Sequence, residues 1–144
     1  LHHKREDSLI RKQIADKNID ELTGEIINYD KLNNFSESDQ MAFVRLFIEE
    51  SKKQVNDIKN LLQDFENSKP NLTKEISTNF LNKISFALHA IKGISGNIGA
   101  EKIFNFVCKT EYELKNNLLE LNSNNKWLEK LNSLFEEFEQ TVFK

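Results

Sequence analysis

His89 stands in a stretch with helical spacing, and its neighbours are unusual. One turn before it are Ser85 and Phe86, one turn after it Lys92 and Gly93, and a further turn on Gly96. Histidine's ordinary pKa of about 6.5 leaves a neutral, nucleophilic ring nitrogen near neutral pH. Glycine inside a helix costs about 1 kcal/mol relative to alanine, yet both glycines fall on the histidine stripe, where missing side chains let a partner come close. Lys92 adds a cation within reach of an anion carried on the ring. An accessible nucleophile, a cleared approach and an adjacent cation suit the chemistry of holding a phosphoryl group. The plainer reading is a surface or half-buried histidine without chemistry, and from these residues alone the two stand about level.

Other chemistries find less support. Leu1-His2-His3 reads as the end of a purification tag, which leaves His89 as the native histidine. One histidine and one cysteine, Cys108, do not make a metal site of suitable spacing. Cys108 activated by His89 is a conceivable nucleophile, but a lone helical cysteine is more often a small buried hydrophobe. Gly93 to Gly99, GISGNIG, superficially suggests a nucleotide loop, but its spacing is wrong and no strand pattern precedes it. No pair of carboxylates stands out from the solvated faces.

These residues must be positioned by helices. The chain has 144 residues, enough for one domain with a single core. Only 4 glycines and 1 proline are present, too little turn punctuation for a strand-rich fold. The 11 phenylalanines supply the large core residues. A net charge of −3 gives no basic field for nucleic acid or anionic lipid. No apolar run is long enough to cross a bilayer, no signal peptide is visible, and a single cysteine fits a reducing cytosol.

From Met41 the apolar positions recur at heptad-like spacing. Met41, Ile48, Val55 and Leu62 form one row, and Val44, Ile58 and Phe65 the other, with Ser51 as its polar member. Ser36 or Ser38 caps this helix, and the break at Asn67 to Asn71 contains Pro70. A second helix is predicted from about Thr73 to Asn97, with Ile76, Phe80, Ile84, Ala87, Ile91, Ile94 and Ile98 on its core stripe and Gly99 as its stop. His89 lies about 200° around that helix from Ala87 and Ile91. A third helix runs from about Ala100 to Leu121 through Ile103, Val107, Thr110, Leu114 and Leu118. The last carries Trp127, Leu131, Leu134, Phe138 and Thr141. The expected architecture is all-α, an antiparallel up-and-down four-helix bundle with a short N-terminal helix or extension. Residues 1–25 read as tag remnant and linker or helical extension, with Ile14, Ile19, Leu22 and Ile26 as a weak stripe, and 26–144 as the domain.

His89-Ala90-Ile91-Lys92-Gly93, followed by Ser95-Gly96-Asn97-Ile98-Gly99-Ala100, resembles the signature of histidine phosphotransfer (HPt) domains. Phe43 to Glu50, FVRLFIEE, is similar to the family's preceding helix, and Ile103, Val107 and Glu111 fall where it repeats an aliphatic, a small or aliphatic residue and an acid or amide. The resemblance covers about residues 27–144 and departs at Ile94, where relatives often have a small residue. It implies a phosphorelay carrier that takes a phosphoryl group from a receiver-domain aspartate and passes it to another. The carrier would have no kinase site or cofactor of its own, with Mg²⁺ on the receiver. His89 would be the phosphoacceptor, Lys92 would neutralise the phosphoryl charge, Gly93 would clear space for the partner, and Gly99 would shape the turn. Glu111 would hydrogen-bond the other ring nitrogen. Phe43 and Phe47 are offered as docking residues beside Phe86, with plain core packing as the competing reading of the first two. Response-regulator receivers are the expected partners, possibly within a hybrid sensor kinase. A monomer in the cytoplasm is expected, or a cytoplasmic portion of such a kinase. The alternative is a helical docking module that binds receivers without transfer.

Overall fold

In the computed structural model, residues 24–117, 119–121 and 125–143 are described. The expectations placed on Ile14, Ile19 and Leu22, on the tag and linker before Gly24, on Leu118 and on Asn122 to Asn124 lie outside them. A one-turn helix α1 (Tyr29–Leu32) precedes four long ones, α2 (Glu37–Ser68), α3 (Lys74–Ile98), α4 (Glu101–Lys115) and α5 (Lys126–Val142). The described residues contain no strand.

Local chemistry sets the helix ends. The Ser36 hydroxyl accepts from the Asp39 amide at 3.4 Å, and Thr73 caps α3 by accepting from Ile76 at 3.1 Å. Lys69–Asn71 forms a 3₁₀ turn containing Pro70, which ends α2 and turns the chain back. Gly99 closes α3 in the left-handed region at φ 81°. A Cβ there would also lie 2.5 Å from the Asn28 carbonyl oxygen, so both conformation and contact require glycine. The third long helix is shorter than the sequence pattern predicts. It stops at Lys115 instead of continuing to Leu121, because the Asn116 side chain donates back to the Tyr112 carbonyl at 2.8 Å and Asn117 turns left-handed at φ 57°. Asparagine tolerates that conformation and its amide competes for helical carbonyls.

Short connections make consecutive helices antiparallel, and cross-helix contacts agree. Phe65 meets Phe80 near one end of α2 and α3, whereas Phe43 and Leu46 share a groove with Ile94 and Ile98 near the other. Between α3 and α4, Gly96 faces Phe104 and His89 faces Glu111. Helix α5 closes the bundle against α2 by an edge-on contact of Phe47 with Phe138 (ring centroids 5.1 Å) and by a Lys52–Glu139 ion pair of 2.9 Å. Val44, Ile58, Ile84, Leu88, Ile91, Val107, Leu131 and Phe138 are wholly buried along the axis. Ile76, assigned to the core stripe, is exposed, and Phe80 is half-buried, because both precede the full packing of α3 between its neighbours. None of these helices is long and apolar enough to cross a membrane.

Helix α4 also buries a charged pair, Lys109 and Glu113, at 3.6 Å. Burial pushes the Glu113 carboxyl above its ordinary 4.5, with the Lys109 ammonium pulling it back down. The folded chain therefore holds this proton more tightly than the unfolded chain. The associated stability is present below the unfolded value and is lost as pH rises through the folded one. Glu113→Gln mimics the protonated form. Its stability relative to wild type should increase as pH is raised from about 4 to 7, because the variant has no carboxyl to ionise. Urea titrations at several pH values would measure this slope, and a flat difference would contradict it.

Candidate functional site

His89 lies on α3 between two neighbours, α2 on one side and α4 on the other, and this arrangement divides the stripe around it. The His89 side chain is 65% exposed. Phe86, one turn earlier, is 77% exposed, the most exposed of the large hydrophobic side chains described. Gly93, one turn later, has open space: a Cβ built there meets nothing within 4 Å. These three residues form a free edge of α3.

The remaining stripe residues turn inward. Lys92 is only 8% exposed, so it is not one more solvated lysine. A lysine this covered lays its methylenes against the bundle and carries the ammonium at the end of a shielded stem. Ser85 is likewise buried. Gly96 is half-buried, and a Cβ there would touch the Phe104 ring at 3.4 Å. A Cβ would stand there in ordinary contact with α4, so Gly96 faces that helix and not a visitor to His89. A stripe drawn from α3 alone misses this, because the second flanking helix buries a wider arc than one core face.

Glu111 on α4 comes to the imidazole from beneath. Its Oε2 is 3.6 Å from His89 Nδ1, and its side chain is 1% exposed. That separation is electrostatic contact, longer than a hydrogen bond, and a small ring movement would close it. Catalytic hydrogen bonds are often long before the partner arrives. Nε2 is the nitrogen that Glu111 does not face. An imidazole held in this way can use Nε2 as a nucleophile while Nδ1 keeps its proton.

Of the three phenylalanines offered for docking, Phe43 and Phe47 differ in exposure. Phe47 is 3% exposed and packs against Phe135 and Phe138, which fits the core-packing reading, and it also contributes to the lining of the groove onto which Phe43 opens. Phe43 is 41% exposed and packs against Phe35, with centroids 4.5 Å apart and the rings tilted by 46°. Together with Leu46, Ile94 and Ile98 they line an apolar groove of about 330 Å³ between α2 and the end of α3. Phe35 and Leu46 were not singled out in the sequence. For Leu46 the signal is the apolar excess of FVRLFIEE over what a single core stripe uses. Ile94, where the sequence departs from the family pattern, forms part of this groove.

The model of the Hpt domain family matches residues 42–141. The chain belongs to the Hpt domain family. The match runs from the second turn of α2 into the last turn of α5 and contains every residue of the site just described except Phe35. No match was found among curated proteins or among solved structures. Hpt domains are phosphocarrier modules, not kinases, and they interact with the receiver domains of response regulators. Among the described residues no cluster of three or more His, Cys, Asp or Glu side chains could hold a metal ion.

Proposed function

We propose that this Hpt domain is a phosphorelay intermediate in which His89 Nε2 accepts a phosphoryl group from a receiver-domain aspartyl phosphate and returns it to an aspartate on another receiver. The observation that carries this reading is the pairing of an exposed ring with a buried carboxylate on its Nδ1 side. A nitrogen that accepts a phosphoryl group must offer a lone pair, and a proton fixed on Nδ1 leaves that lone pair on Nε2. In the transfer, the Nε2–P bond forms as the bond from phosphorus to the receiver's carboxylate oxygen breaks. The aspartate leaves as a carboxylate, and Nδ1 keeps its proton opposite Glu111. In-line displacement needs positioning and charge neutralisation more than covalent help from the protein.

The division of labour follows from burial. Gly93 gives the receiver's acidic pocket room to reach the ring, and Phe86 and the Phe43 groove flank the approach with apolar surface. Lys92, one turn from His89 and largely buried, is the cation assigned to neutralise the phosphoryl charge in this scheme. The Mg²⁺ that phosphoryl transfer calls for belongs to the receiver in this scheme. The reading as a docking module without transfer gains nothing from the geometry, since docking alone gives no use for a carboxylate under an exposed imidazole.

The test is transfer from receivers phosphorylated in the presence of Mg²⁺. Wild type is expected to take up label within the assay, and His89→Gln none, with unchanged helical circular dichroism. Wild type left unlabelled by a panel of receivers from the source genome would overturn the carrier function.

A further inference from the structure

Glu111 has two oxygens, and a different cationic group faces each. Oε2 faces His89 Nδ1 at 3.6 Å, and Oε1 faces the Lys115 ammonium at 4.0 Å, one helical turn further along α4. The carboxylate is 1% exposed, whereas the Lys115 side chain is 51% exposed. We propose that Lys115 is a positioning residue: it holds the Glu111 carboxylate from the solvent side and so keeps its other oxygen turned to His89 Nδ1. The inference rests on the phosphoacceptor reading above for its purpose, but not for its test.

A glutamate has three side-chain torsions, and a cation on the second oxygen narrows the orientations open to the carboxylate. The i, i+4 order of Glu111 and Lys115 is the favourable one, with the acid N-terminal to the base. Lys115 also lies in the last turn of α4, where a cation complements the helix dipole. The ammonium is thus held near the bundle by two independent attractions, and through Oε1 it sets the plane of the carboxylate. His89, Glu111 and Lys115 then form a line from the reacting ring to the end of α4. The orienting effect acts on which ring nitrogen carries the proton, and this decides whether Nε2 is nucleophilic.

The experiment reads the tautomer directly. Long-range ¹H–¹⁵N spectra of the full chain, at about pH 8 where an ordinary imidazole is neutral, report the His89 ring, assigned by comparison with His89→Gln. Wild type is expected in the Nδ1–H form. Lys115→Met should raise the Nε2–H share at least about twofold and slow phosphoryl uptake about threefold, the size expected of a half-exposed ion pair. Lys115→Arg should restore both readouts. In a Glu111→Gln background, Lys115→Met should change nothing further, because the two residues act in series. A wild-type ring pattern in Lys115→Met, or an equal effect with and without Glu111, would overturn the proposal. If no receiver phosphorylates wild type, the carrier reading fails while the tautomer result still decides the role of Lys115.

Discussion

Gly93→Trp is expected to cut phosphoryl uptake by His89 more than about a hundredfold, the scale on which small misplacements of reacting groups act, while the chain stays at least as stable as wild type. The two halves of this result have separate causes. A Cβ at Gly93 meets nothing within 4 Å, so a side chain there costs the fold no repacking. Glycine is also the poorest helix former after proline, and Gly93→Ala alone should stabilise the chain by about 1 kcal/mol. An indole at that place would instead cover the surface one turn from His89, where the receiver's pocket must close to bonding distance. Uptake kinetics and urea unfolding of the two variants measure both effects. A glycine retained for the fold would give the opposite pattern, with loss of stability and little effect on uptake. Gly96 is the natural control, since a substituent there meets Phe104 and has no open path to the ring.

The second large effect separates two phenylalanines four residues apart. Phe47→Ala should cost about 3–5 kcal/mol, the range for truncating a buried aromatic, because Phe47 fills the space between α2 and the Phe135–Phe138 edge of α5. Phe43→Ala should cost less than about 1 kcal/mol, as for an exposed position away from the core, and should show its effect in receiver affinity. Urea denaturation together with titration of a receiver distinguishes the two. Equal losses of stability would contradict the division between core and groove drawn here.

The helices and their caps were legible because they depend on short-range chemistry. Ser36, Pro70 and Gly99 act within a turn of their own positions, and the heptad rows of α2 fall on the buried face apart from the half-buried Met41 and Val55. The C-terminus of α4 was misread because helical spacing continues through Leu114 and Leu118, whereas the left-handed Asn117 interrupts it in the structure. The surroundings of His89 were legible only in part. Its exposure and the open side at Gly93 follow from one helical wheel. The burial of Lys92, the contact of Gly96 with Phe104 and the two-sided placement of Glu111 require knowing how α4 lies against α3. Phe43 and Phe47 could not be separated from sequence, since they flank the same heptad stripe and only the position of α5 covers one of them.

In the proposed function one atom of one side chain, His89 Nε2, carries the phosphoryl group. After labelling by a receiver, the chain should hold phosphate that is lost in acid and stable in alkali, mapped by peptide fragmentation to His89 and by ³¹P–¹⁵N correlation to Nε2. Phosphate that survives acid, that maps to another residue or that resides on Nδ1 would contradict the account.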